Sequence, residues 1–167
     1  DVGGRMLSIR ERVEQLISLV DQTEKVVLTT GDLDGDSVGA IVAAHDLVRQ
    51  LCPESPVVAM IESELPRRYH NLVPKSLKLQ VVRDNAPDWG DSLVLILDSE
   101  PSRLRNLRKS FFAARFKGLI DHHATTELDG LDLVFYDSKA PSTTVLIYQM
   151  YRAIGLIPST AAATALY

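Results

Sequence analysis

The chain has 167 residues, 46% of them hydrophobic and 24% charged, with a formal net charge of −4. That is enough apolar material for one domain with its own core, and it excludes a disordered segment, a collagen-like fibre and a disulfide-dense scaffold. The acidic balance argues against a general polyanion-binding surface, since non-specific nucleic-acid affinity is summed from Lys and Arg contacts, but a small anionic substrate held by metals is compatible with it.

Residues 1–5 lack the charged-then-apolar layout of a signal peptide and are set aside as a cloning remnant. Met6, Ile9, Val13, Leu16, Ile17 and Val20 recur at three- and four-residue spacings, which predicts an amphipathic helix over 6–20. Residues 25–30 form a short apolar run ending in a Gly/Asp cluster and read as a buried strand. Val38, Ile41, Val42, Leu47, Val48 and Leu51 predict a helix over 37–51 that Pro53 stops. Further strands are predicted over 57–61, 77–82, 93–98, 118–121 and 131–136, and further helices over 102–115, 142–154 and from 159 onward. Short continuous apolar runs alternating with helices imply an α/β fold, a doubly wound, mostly parallel sheet with helices on both faces. No linker or repeat interrupts it, so residues 6–167 are read as one domain. The single Cys52 cannot form an intrachain disulfide, and no apolar run nears the roughly 18 residues of a membrane span, so a reducing, cytoplasmic setting is expected.

The acids are unevenly placed. There are 14 Asp against 8 Glu, and Asp32, Asp34 and Asp36 fall within five residues; two of the four histidines, His122 and His123, are adjacent. Carboxylates and imidazoles crowded this closely repel or desolvate one another unless a positive charge sits between them. Asp32, Asp34 and Asp36 follow the first predicted strand, Asp98 closes the fourth, and Asp121, His122 and His123 close the fifth. Ligands in open α/β sheets bind outside the carboxyl ends of the strands, so three polar clusters are expected on one edge. Gly31, Gly35 and Gly39 are read as allowing a tight backbone there. A calcium loop would need Gly and Glu where Ser37 and Ala43 stand, and neither the dinucleotide glycine pattern nor a GK[ST] loop is present. Oxygen donors with one or two imidazoles suit Mn²⁺ or Mg²⁺, and two such ions about 3.5–4 Å apart would suit phosphoryl chemistry. The competing reading is that these Asp are turn formers and a helix cap.

The motifs GDLDGDSVGA, LILDSEPSRL and GLIDHHAT, in that order, resemble the DHH phosphoesterase family, whose name is the Asp121-His122-His123 triplet. Residues 65–69 and 140–144 resemble its intervening segments, and the likeness runs from Val26 nearly to the end. The resemblance implies that Asp34 and Asp36 each bind one of two Mn²⁺ or Mg²⁺ ions, that Asp98 bridges them and that His122 is a ligand. His123 would contact the phosphate or stabilise developing charge, and Asp121 would orient its neighbours. The implied reaction is attack of a metal-activated hydroxide on a phosphoester, with Asp98 and His123 as the catalytic pair. Short oligonucleotides or small nucleotide phosphates are the substrates of the branch that looks most similar, the short-oligoribonucleotide exonucleases that also act on 3′-phosphoadenosine 5′-phosphate. A degenerate nucleotide- or partner-binding module and an inorganic pyrophosphatase of the same family are the alternatives; a homodimer is left open.

Two departures stand out. Thr30 occupies a position where many members have a metal-binding His, and Asp32 is placed to compensate, as in the Gly-Asp-x-Asp-x-Asp motif of RecJ-type members. The chain ends at Tyr167, where family members continue to a fourth-motif Asp and a substrate-binding domain; truncation is expected, and Asp137 reads first as a strand-end turn residue, with substitution for that ligand the minority reading.

Weaker signals complete the reading. The basic residues over 103–117 are taken as a solvated helix face, except Arg103, which is assigned either to a substrate phosphate or to a pair with Glu100. His45 and His70 read as structural or solvent-facing, Ser142 to Thr144 as a helix cap, Phe111 and Phe112 as core, and Asp46 as a surface residue.

Overall fold

The computed structural model describes residues 7–124 and 126–166. The expected remnant at 1–5, the start of the first predicted helix at Met6 and the end of the last at Tyr167 lie outside the described residues.

The elements run α1 (Ile9–Asp21), β1 (Lys25–Thr29), α2 (Gly35–Leu51), β2 (Val57–Ile61), a 3₁₀ helix (Arg67–Leu72), β3 (Leu79–Val81), β4 (Ser92–Leu97), a short 3₁₀ turn (Pro101–Arg103), α3 (Leu107–Phe112), β5 (Phe116–Asp121), β6 (Leu133–Tyr136), α4 (Thr143–Ala153) and α5 (Thr160–Leu166). The six strands form one sheet in the order β3-β2-β1-β4-β5-β6, every pair parallel. The α/β doubly wound architecture read from the sequence is therefore present. The chain reverses direction across the sheet between β1 and β4, the topological switch point at which such sheets leave a crevice.

Period-two alternation distributes each central strand between two cores. Val26 and Leu28 of β1 and Leu93, Leu95 and Leu97 of β4 face α1, α2, α4 and α5. Val27, Val94 and Ile96 face the thinner layer made by α3, with Leu107 and Phe111, and by the fully buried Trp89, whose Nε1 lies 3.3 Å from Met60 Sδ. Burial on both faces explains why β4 reads as an unbroken apolar run.

The predicted helix over 102–115 is instead a 3₁₀ turn and the six-residue α3, because Pro101 opens a turn and residues 104–106 do not continue the helix. Phe112 is not core: it is 52% exposed, stacked edge-on against the buried Phe111 and under Arg108. Asp46, expected at the surface, is half-buried and holds α2 to α4 and α5 by accepting from Tyr151 Oη (2.6 Å) and Ser159 N (3.2 Å). The glycines of the first motif also act differently from expectation, for none has positive φ. A Cβ on Gly39 would meet Ala165 O at 2.6 Å, and one on Gly31 would meet Arg103 Cβ at 2.4 Å, so both permit close packing rather than unusual dihedrals.

Candidate metal centre

The loop after β1 is closed by Thr30, whose Oγ1 donates to Asp32 O (3.1 Å). Asp34 is the N-cap of α2 in a reciprocal capping box: Ser37 N donates to its Oδ1 at 2.8 Å, and Asp34 N donates to Ser37 Oγ at 2.9 Å. Asp36, in the first turn of α2, is gripped from across the site. Thr143 N donates to Oδ2 (3.0 Å) and Thr144 N to Oδ1 (3.1 Å), placing its carboxylate at the positive end of α4.

Asp98 directly follows β4 and, among the described residues, is the one non-glycine with positive φ, at 56°. A residue held there stores backbone strain, and such residues cluster at functional sites. Its side chain is buried, with Oδ1 accepting from Thr143 Oγ1 at 2.8 Å. Burial, then a hydrogen bond with Asp36 and the charges of Asp36 and Asp34, push its carboxyl up to about 8 against the opposing Thr143 hydroxyl. A carboxylate kept ionised here would need compensating positive charge.

His122 is oriented by Ala140, whose carbonyl lies 3.1 Å from Nδ1 and fixes that nitrogen as the donor. The lone pair of Nε2 then faces Asp36 Oδ2 and Asp98 Oδ1, each at 3.4 Å. With Asp98 ionised, three electron-pair donors converge there. That spacing is long for a hydrogen bond and suited to donors sharing one cation. His123 Nδ1 lies 2.6 Å from Oδ1 of the fully buried Asp121, which Thr126 Oγ1 also approaches, and Tyr136 Oη donates to the His123 carbonyl at 2.6 Å. Asp98, His122 and His123 can each offer a ligand atom within 4.8 Å of the others, grading from buried to exposed.

Beside them opens a cleft lined by Asp32, Asp98, Ser99, Glu100, Arg103 and His123. Arg103 Nε stands 4.0 Å from Asp32 Oδ2, with both side chains exposed. The expected alternative partner, Glu100, instead accepts from Glu127 N at 2.8 Å. An exposed pair at that distance is weak, which leaves Arg103 available to an incoming anion.

The structure brings Asp36, Asp98, His122 and His123 together, sets Asp121 behind His123, and leaves Asp34 and Asp32 exposed on the loop at the rim. Asp137 is engaged in its own turn, its Oδ1 accepting from Lys139 N at 2.8 Å. His70 is exposed and bonds Leu65 O at 3.0 Å, whereas His45 is buried with Nε2 unpartnered. Ser142 caps α4, accepting from Val145 N. Its neighbour Thr143, read from the sequence only as part of that cap, touches both Asp36 and Asp98; the run Pro141-Ser142-Thr143-Thr144 carries no mark of a contact 107 residues away.

Residues 26–167 match the family model described as DHH family, N-terminal domain. Among solved structures the chain is similar to an exopolyphosphatase-related protein from Bacteroides fragilis, at TM-score 0.77 and 16% identity, over 93% of this chain and 48% of that one. It is also similar to the exonuclease RecJ bound to manganese, at TM-score 0.52 and 19% identity, over 96% of this chain and 43% of that one. These identities show a common fold, and the chain spans under half the length of either structure. None of the curated proteins matches it. Among the described residues no helix is long and apolar enough to cross a membrane.

Proposed function

The chain belongs to the DHH family, and from that premise we propose that it carries the cation-binding domain of a phosphoesterase that hydrolyses short oligonucleotides or small nucleotide phosphates. The observation that carries this reading is the convergence of His122 Nε2, Asp36 Oδ2 and Asp98 Oδ1 at 3.4 Å separations beside an open cleft. Carboxylates with imidazole suit Mn²⁺ or Mg²⁺, and Mn²⁺ is favoured because the RecJ structure is described as bound to manganese.

In this reading Asp36, Asp98 and His122 hold the cations, with Asp34 supplying the oxygen its capping bond leaves unused and Asp32 adding a rim ligand. Bound divalent ions would supply the Lewis acidity that ionises a water and neutralises phosphoryl oxygens. The chain does the rest. Asp121 fixes Nδ1 of His123 as a donor, so that Nε2 is the nitrogen presented to a phosphate oxygen. Arg103 exchanges its weak contact with Asp32 for a bidentate grip on a substrate phosphate.

The test is release of mononucleotides from RNA of two to five residues by the full-length protein in Mn²⁺, against pyrophosphate as a control. Hydrolysis that H123A and D98A both reduce supports the assignment; hydrolysis that neither reduces overturns it. A second reading, a nucleotide-binding module without turnover, is favoured by one observation. Thr30 stands where many relatives place a ligating His, and its hydroxyl is spent on closing the loop. Substrate binding without turnover would select it.

A further inference from the structure

We infer that Thr143 is a positioning residue for the cation centre, joining the carboxylate at the start of α2 to the one that follows β4 before any ion arrives. This rests on the reading of the centre given above. Thr143 is fully buried at the start of α4 and donates twice: its N–H to Asp36 Oδ2 at 3.0 Å and its Oγ1–H to Asp98 Oδ1 at 2.8 Å. Asp36 lies in the first turn of α2, which follows β1, and Asp98 directly follows β4, so one amino acid spans the switch point of the sheet. Thr144 N completes the grip on Asp36 at 3.1 Å, and the helix behind these amides is eleven residues long.

The arrangement has a cost that explains the need for it. When an ion is bound, two carboxylates and an imidazole lone pair must be held close together despite their mutual repulsion, and any splaying of Asp36 from Asp98 costs affinity. Among the described side chains the hydroxyl of Thr143 is the donor to Asp98, and it leaves Oδ2 and a second lone pair on Oδ1 for a ligand. A hydrogen-bonded support of this kind is worth 10- to 100-fold in metal affinity in sites where it has been removed, as an order of magnitude.

Calorimetric titration of the chain with Mn²⁺ tests this. T143V keeps the shape of the side chain and removes the hydroxyl; T143S keeps the hydroxyl. T143V is expected to weaken Mn²⁺ binding by about tenfold or more, and T143S to stay within about twofold of wild type. Metal-free Tm values are read alongside, because a merely structural residue would lower Tm without separating the two variants in affinity. If T143V does not fold, T143A replaces it in the same comparison with T143S. Equal Mn²⁺ affinity in wild type and the hydroxyl-free variant, or equal loss in T143S, overturns the inference and leaves the centre standing. Absence of Mn²⁺ binding by wild type overturns the reading of the centre, and this inference with it.

Discussion

Nε2 of His122 stands 3.4 Å from Oδ1 of Asp98, while the other nitrogen of the same ring is held 3.1 Å from the Ala140 carbonyl. The second contact decides the meaning of the first. With Nδ1 committed as a donor, a neutral His122 turns the lone pair of Nε2 toward the buried Asp98, and a cation bound there is held by both once it has displaced the carboxyl proton.

Metal-free stability should fall with pH because of Asp98. Its carboxyl is raised from the ordinary value of 3.8 to about 8 by burial and by Asp36. A group raised on folding stabilises fully below its unfolded value and loses that contribution as pH climbs to the folded one, so the loss spans roughly pH 4 to 8. Urea denaturation of chelator-treated protein at a series of pH values is the measurement. D98N should flatten the profile, and Mn²⁺ should oppose the fall, since its binding draws on the ionised form.

His123 separates substrate contact from ion holding. It is exposed and tied through Nδ1 to Asp121, and H123A is expected to reduce turnover at least about 100-fold while Mn²⁺ affinity changes by less than about tenfold. Single-turnover hydrolysis and calorimetry on the same preparation measure both. A collapse in Mn²⁺ binding would make His123 a ligand, which the 4.8 Å grouping with Asp98 and His122 permits.

Arg103 should act on binding of substrate rather than on the fold. Its contact with Asp32 is long and exposed, so R103A is expected to shift stability by less than about 0.5 kcal/mol. KM for a nucleotide substrate should rise by about tenfold or more with kcat little changed. Lys at this position should recover only part of the loss, for it lacks the planar fork.

Gly31 should be intolerant of even one methyl group. A Cβ there would lie 2.4 Å from Arg103 Cβ and 2.7 Å from Ser99 Oγ. G31A is expected to cost about 1–3 kcal/mol in denaturant unfolding, as over-packing of a tight contact does, and to raise KM together with R103A by moving the 3₁₀ turn.

The fold was legible because β1 and β4 carry continuous apolar runs, β5 a shorter one at Leu119 and Ile120, and each polar cluster lies at the end of its strand. Those two facts place Asp36, Asp98 and His122 on one edge without any knowledge of pairing. What the sequence did not disclose depends on distances across the chain. Thr143 reaches Asp36 through a backbone amide, which leaves no residue-type signature, and its hydroxyl reaches Asp98 from 45 residues away. Asp46 looked like any helix-surface acid, yet Tyr151 and Ser159 converge on it from α4 and the start of α5. Phe112 follows a core phenylalanine in a helix only six residues long, so its neighbour's burial was no guide to its own. Gly31 and Gly39 signalled a special backbone but mark places where another segment comes too close for a side chain.

Calorimetric titration of wild type and D98N with Mn²⁺ tests the cation centre most directly. Saturable binding by wild type, reduced at least about 100-fold in a D98N protein that remains folded, is the expected result. No saturable binding by wild type, or equal binding by both proteins, would contradict a cation held between Asp36, Asp98 and His122.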